Sequence, residues 1–321
     1  MDSRAAAWFA RRTTRWQDFS AAWLLARKAQ LGASVSVVIP ARNEERTIAG
    51  MVGTLRRALM VEIPLVDELV VMDSDSADAT AEVAARSGAV VHRARQVAPD
   101  LGTCAGKGEA LWKSLLVTRG DLLVFVDADL TEWGPHFVTG LLGPLLARPQ
   151  VRLVKGFYQR ALAGPDGTPS ADGGRVTELV ARPLLSLWWP ELAGVIQPLA
   201  GEWAARRDLM ESLPIPVGYG VELAVLLDTA ARFGLEAVAQ VDLGRRGHRH
   251  QPCADLAVMA AELLLVAERR RGGRAAQAGE ARLQQFVPAG ASLRHRSRPV
   301  PVRERPPVRS LAVERPQGAT R

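Results

Sequence analysis

Apolar residues along this chain fall into short unbroken runs separated by segments of helical period. SVSVVIP, ending at Pro40, is a β-branched run; a polar loop follows, and apolar positions then recur at helical spacing from about Thr47. The pattern returns in DELVVMDSDSADATAEVAARSG, where Leu69–Met72 leads through a polar loop into an Ala-rich helix, with a further short strand expected near Ala89–His92. GKGEALWKSLLVTRG predicts a helix. DLLVFVDADL predicts a strand whose run Leu122–Val126 is apolar without alternation, as in a central strand buried on both faces. Repetition of strand, loop and helix predicts an α/β fold around a largely parallel sheet flanked by helices. Downstream, VRLVKGFYQRAL predicts a strand, GGRVTELVARPLLSLW a helix, and EAVAQVDLG a strand running into RRGHRHQP. Residues 6 to 31 mix Ala, Trp, Leu and Arg at helical spacing, which predicts one or two surface helices packed on the domain that follows. The expected divisions are an N-terminal helical extension (1–33), a main domain (34–268, its halves meeting near residue 130) and a tail (269–321). Phe286–Pro288 are expected to dock back from that tail, and the remainder to be flexible.

The net charge of +7 invites a nucleic-acid reading until it is located. Residues 269–321 hold thirteen Arg and three acidic side chains, so the rest of the chain is slightly acidic. That tail has almost no aromatics to stack on bases, and a solvated basic tail is the expectation, with no nucleic-acid partner. Cys104 and Cys253 lie far apart with no metal-type spacing, which argues against a disulfide framework or a structural zinc site. No stretch approaches the roughly 20 apolar residues of a spanning helix, and the first residues lack the apolar core of a signal peptide. A soluble, cytoplasmic protein with no membrane partner is expected.

In open parallel sheets ligands bind beyond the carboxyl ends of the strands. Pro40–Glu44, Asp73–Ser76 and Asp127–Asp129 should therefore converge on one crevice. Asp127 and Asp129, two residues apart after a buried strand, are expected to point the same way and share one cation. Mg²⁺ or Mn²⁺ suits such an oxygen pair, with coordination positions left for phosphate oxygens. Capping explains a single Asp there but not two after five apolar residues. His248, among Arg245, Arg246, Arg249 and His250, completes a metal shell only if its loop folds over that pair, and the Arg residues would then meet phosphate charge. Lys107 stands between Gly106 and Gly108 at a helix start, an anion-binding arrangement, although GxxxxGK[ST] and GxGxxG are both absent. Gly173, Gly174, Arg175 and Thr177 make a second such site, suited to a phosphate or carboxylate. Glu222, in GYGVEL, is a candidate acceptor for sugar hydroxyls, with plain helix capping as the alternative.

Together PARNEE, VMDSDSADAT, GKGEALW, VFVDADL, GGRVTELVARPLL, QPLAGEW, GYGVEL and GHRH closely resemble the glucosyl-3-phosphoglycerate synthases. The match spans about Ser34–Pro252 and is most specific from Arg175 to Pro183. The resemblance implies a GT-A (Rossmann-like) nucleotide-diphospho-sugar transferase fold, with the nucleotide-sugar half near 34–130 and the acceptor half near 131–268. It implies a retaining, homodimeric enzyme that moves glucose from UDP-glucose to 3-phosphoglycerate with Mg²⁺, Mn²⁺ and Co²⁺ being alternatives. Carried over by position, Pro40, Ala41, Arg42, Glu44, Ser74, Lys107, Asp127 and Ala128 would hold the nucleotide sugar, and Asp129 and His248 the metal. Gly174, Arg175, Thr177, Arg246 and His250 would hold the acceptor, with Leu199 and Glu222 facing the glucose. Asp129, Lys107, Leu199 and Glu222 carry the catalytic expectation. Arg42, Ala128 and His250 depart from the family's usual aliphatic, serine and asparagine. The product's destination is a compatible solute or a methylated polysaccharide, the family favouring the latter, methylglucose lipopolysaccharide.

Three rivals remain at this point. A polyprenyl-phosphate glycosyltransferase shares the strand-end Asp pair but normally adds a membrane-binding element. A transferase for the same acceptor with GDP-mannose or ADP-glucose differs only in donor. A non-catalytic nucleotide-sugar sensor keeps the binding residues without turnover.

Overall fold

A computed structural model describes residues 2–160, 162–163, 169–170, 174–247, 253–273, 281–290, 292–301 and 303–311. The N-terminal residues form helix α1 (Ser3–Arg12), strand β1 (Thr13–Arg15) and helix α2 (Ala21–Leu31). Strand and helix then alternate through β2 (Val35–Ala41), α3 (Ile48–Arg56), β3 (Glu68–Asp73), α4 (Thr80–Arg86), β4 (Val90–Arg93), α5 (Lys107–Val117) and β5 (Leu122–Phe125). There follow α6 (His136–Ala147), β6 (Leu153–Arg160), the two-residue pair β7 (Leu162–Ala163) and β8 (Pro169–Ser170), and α7 (Arg182–Trp188). The remaining elements are β9 (Trp203–Arg206), α8 (Arg207–Ser212), β10 (Ile215–Pro216), α9 (Val221–Phe233), β11 (Val238–Arg246), α10 (Cys253–Arg270), β12 (Arg282–Ala289), β13 (Ser292–Pro299) and β14 (Glu304–Arg305).

The central sheet has the order β1-β11-β6-β9-β5-β2-β3-β4. Its pairs are parallel except the two made by β9, which runs against both β5 and β6. The sheet is buried on both faces, which explains the unbroken apolar runs. Val35, Val37 and Ile39 of β2 join one apolar layer with Leu122 and Val124, under α3 and α6. Leu123, Phe125 and Trp203 join the other with Leu111 and Trp112 of α5 and Leu223 of α9.

Two expectations about the chain's ends are revised. The N-terminal segment is not only helical: Thr13–Arg15 pair in parallel with Gln240–Asp242 and extend the main sheet. The stretch after Arg269 is not simply a solvated tail. Phe286, expected to dock back, is 70% exposed on the β12–β13 hairpin, whereas β14 pairs with β10 and Arg305 is 3% exposed. Sequence charge misled there because a buried Arg with a partner reads like a solvated one until the partner, Glu109, is known.

Candidate active site

With its parallel pairing, the sheet brings the carboxyl ends of β2, β3, β5, β6 and β11 to one edge, and reversed β9 begins there. The loops after β2 and β3 are bonded to each other. Ser74 N–H donates to Ala41 O (2.8 Å), Ala77 N–H to Asn43 Oδ1 (2.8 Å) and Glu44 N–H to Thr80 Oγ1 (2.8 Å). Asn43 reaches this through a left-handed backbone, φ 57°.

Lys107 opens α5 after Gly106, whose φ of 136° is tolerated by glycine. Its ammonium lies 2.5 Å from Asp127 Oδ1 and 2.7 Å from Glu222 Oε1. A Cβ on Gly106 would stand 2.3 Å from Val217 O, and one on Gly108 1.8 Å from Pro216 O. The GKG spelling is thus needed for the chain to pass against the loop that opens α9.

Arg246, the last residue of β11, is 5% exposed and gathers the carboxylates from the other side. Its Nη2 lies 3.1 Å from Asp127, 3.3 Å from Glu202 and 3.7 Å from Asp129, and Nη1 donates to Tyr158 Oη at 2.6 Å. Arg246, expected to hold the acceptor, lines the cavity while its guanidinium is also engaged by the site's own carboxylates. Both strand-tip carboxylates face this guanidinium, Asp129 at the longer distance.

Burial pushes the Asp127 carboxyl up, but Lys107 and Arg246 outweigh it and hold the group below the usual carboxylate range. Asp129 is pushed up, first by burial and then by the Asp127 charge. Burial alone would lower Lys107, yet Asp127 and Glu222 raise it, so it stays a cation. Deeper, Lys155 donates to Ala200 O at 2.8 Å, and burial lowers its amine to about 7.

Lys107, Asp127, Asp129, Glu222 and Arg246 line one cavity of about 360 Å³. Pro40, Ala41, Arg42, Glu44, Ser74, Lys107, Asp127, Ala128, Asp129, Gly174, Arg175, Thr177, Leu199, Glu222 and Arg246, all expected from sequence, face it together. His248 and His250 lie outside the described residues. Of the segment expected to bind an anion, Gly173 lies outside the described residues, and the chain from Gly174 (φ 94°) enters a π-helical turn, Thr177–Ala181, of the kind often found at functional sites.

Several wall residues were not expected. Gly201 is one: a Cβ there would stand 1.9 Å from Asp127 Oδ2, so the GEW spelling seats the carboxylate. Tyr219 is another, while Glu202 and Tyr158, equally unexpected, are buried and reach the site through Arg246. Leu256, Met259 and Leu263 of α10 also line the cavity, and their spacing is a helical signal that was available in the sequence.

A divalent cation fits the chemistry present. The Asp129 side chain is 35% exposed in the cavity, its carboxylate meets Arg246 only at the looser distance, and phosphate oxygens can supply further ligands. Among the described residues no three His, Cys, Asp or Glu side chains cluster as a metal site.

Comparison with known proteins finds relatives of the same fold. The Glycosyl transferase family 2 model matches residues 36–164. Glucosyl-3-phosphoglycerate synthase of Petrotoga mobilis is 47% identical over 247 residues, 77% of this chain and 76% of that protein. The crystal structure of glucosyl-3-phosphoglycerate synthase from Mycobacterium tuberculosis with Mn²⁺, UDP-glucose and phosphoglyceric acid superposes with TM-score 0.81 at 42% identity, covering 93% and 98% of the two chains. Mannosyl-3-phosphoglycerate synthase from Rubrobacter xylanophilus gives TM-score 0.86 at 40% identity, covering 95% and 97%.

Proposed function

The chain belongs to the glucosyl-3-phosphoglycerate synthase family, and on that premise we propose that it transfers glucose from UDP-glucose to 3-phosphoglycerate with retention of configuration. It is a glycosyltransferase of the GT-A fold. The observation that carries the proposal is the meeting, in one cavity, of the bonded β2 and β3 loops, the Lys107–Asp127–Glu222 triad and the Gly174–Thr177 segment.

In this reading the β2 and β3 loops, with Pro40, Ala41, Arg42, Glu44 and Ser74, hold the nucleotide. Lys107, kept cationic by its two carboxylates, faces the diphosphate. Gly174, Arg175 and Thr177 take the phosphate or carboxylate of the acceptor. A divalent ion, Mg²⁺ by preference and Mn²⁺ in the relative's crystals, would be held by Asp129 with His248 and supplies charge neutralisation to the departing diphosphate.

Transfer then breaks the bond from glucose C1 to the β-phosphate oxygen and forms one from C1 to the glycerate hydroxyl on the same face. The hydroxyl proton passes to the leaving phosphate oxygen, so no enzyme nucleophile is required. The Leu199 backbone carbonyl and Glu222 orient the reacting hydroxyls, and the apolar side chains of Leu256, Met259 and Leu263 limit water. A homodimer acting in the cytoplasm belongs to the same proposal; no helix among the described residues is long and apolar enough to cross a membrane.

The test is UDP release from UDP-glucose against a panel of phosphorylated three-carbon acids, with NMR of the product's anomeric centre. Turnover with 3-phosphoglycerate and an α-linked product are expected. UDP-glucose binding without release on any acid would instead indicate a sensor. The similarity to a mannosyl-3-phosphoglycerate synthase favours one second reading, a different donor, so GDP-mannose and ADP-glucose belong in the same assay.

A further inference from the structure

Residues 303–311 close over the loop that delivers Lys107, and their grip on it is a buried ion pair. Arg305 donates from Nε and Nη2 to the Glu109 carboxylate, both at 2.7 Å. It also donates to Leu101 O at 2.8 Å and to Gly102 O at 2.9 Å. The guanidinium stands 5.0 Å from the Trp112 ring centre, and Trp112 Nε1–H donates to Pro306 O at 2.8 Å. Glu109 in turn accepts from Cys104 N–H at 3.2 Å. Both ends of the segment Leu101–Glu109 are thereby held, on either side of its two left-handed glycines, Gly102 and Gly106.

The same strap reaches the other half of the triad. Ile215 pairs with Arg305, and Val217 N–H donates to Arg303 O at 3.1 Å. Val217 O and Gly218 O accept from Glu109 N–H (2.9 Å) and Gly108 N–H (3.2 Å). The strap is therefore bonded to the segment carrying Lys107 and to the one that opens α9, where Glu222 sits. None of residues 303–311 lines the cavity.

A buried ion pair adds little net stability over an apolar pair of the same volume, and what it does supply is a defined geometry. A two-pronged guanidinium–carboxylate contact is well suited to that. We propose that Arg305 is a positioning residue: through Glu109 and the Leu101 and Gly102 carbonyls it fixes the 101–109 loop and sets the Lys107 ammonium between Asp127 and Glu222. The proposal rests on the reading of Lys107 as a ligand of the donor diphosphate.

Arg305→Met, which keeps an aliphatic stem against Trp112, tests it in the full-length chain. Amide hydrogen exchange should accelerate locally at Cys104, Gly108 and Glu109. Calorimetric binding of UDP with Mn²⁺ should weaken about tenfold, and this loss should shrink below about twofold in a Lys107→Met background, since the strap acts through Lys107. Arg305→Lys, which keeps the charge without the fork, reads the same quantities if the methionine variant does not fold. Unchanged exchange at the three amides, or a full tenfold loss that persists without Lys107, overturns the inference. Absence of UDP binding by the unaltered chain, alongside locally accelerated exchange, would overturn the donor reading and leave the strap's grip on the loop standing.

Discussion

Asp127 and Asp129 are chemically identical and two residues apart, yet their surroundings divide their labour. Asp127 has lysine and arginine partners at 2.5 and 3.1 Å, and its charge is needed to keep both satisfied. Asp129 is more exposed, its carboxyl is pushed up by burial and by its neighbour, and its arginine contact is loose. Removing Asp129 should therefore relieve like-charge repulsion while deleting the proposed metal ligand. Asp129→Ala is expected to lower kcat/KM by about a thousandfold or more, near 4 kcal/mol, with thermal stability unchanged or slightly higher. Near-normal turnover would refute its role. Lys107→Met should behave otherwise, because it strands the buried Glu222 carboxylate and leaves Asp127 with Arg246 alone. Loss of one partner from such a cluster costs about 3–5 kcal/mol, so denaturant unfolding should report lower stability together with lost activity. A Lys107→Met protein as stable as the parent would contradict the geometry described.

At the level of elements, α10 is held to the opening of α9 by one acid. Glu262 accepts from Tyr219 N–H at 2.5 Å, and burial raises its carboxyl to about 7. A raised carboxyl binds an extra proton in the folded state between about 4.5 and 7, so this group's contribution to stability falls as pH rises through that window. Glu262→Gln keeps an oxygen for the Tyr219 amide and removes the titration. It should match the parent near pH 4.5 and exceed it by up to about 3 kcal/mol above pH 7, as measured by urea unfolding across pH. A parallel pH dependence in the two proteins would sink this account. The apolar positions of α10 were readable as a helical period, as were the runs of β2, β3 and β5, because a strand buried on both faces leaves no polar alternation. β9 was not readable. Its four residues, Trp203–Arg206, carry no strong strand signal, and their reversed direction is decided by β5 and β6 on either side. Among the site residues, those on strand-tip loops were legible from spacing. Glu202, Tyr158 and Gly201 were not, since their roles arise from contacts with Arg246 and Asp127, residues 44–88 positions away along the chain.

Across the whole molecule, the two ends of the chain are structural parts of the site's scaffold, and the N-terminal one can be tested by its removal. Trp8 is fully buried and its indole N–H donates to Val238 O at 2.8 Å. Arg11 and Arg12 both pair with Glu236, just before β11. Trp16 and Phe19 fill notches left by Gly140 and Gly143 of α6, where a Cβ would stand 2.8 and 2.1 Å from their side chains. β1 covers the edge of β11, the strand that ends at Arg246. Loss of one fully buried Trp side chain costs about 3–5 kcal/mol. In a domain of this size each kcal/mol shifts the melting temperature by roughly 2–4 °C. A chain starting at residue 32 loses Trp8 together with the edge strand and both aromatic plugs, so melting should fall by more than about 10 °C. The bared β11 edge should also promote association, seen as early elution in size-exclusion chromatography. Because β11 carries Arg246, UDP affinity with Mn²⁺ should weaken in whatever folded fraction survives. A truncated protein that melts cooperatively at the parent temperature would show that the extension merely decorates the fold, and that the β11 edge stands without it.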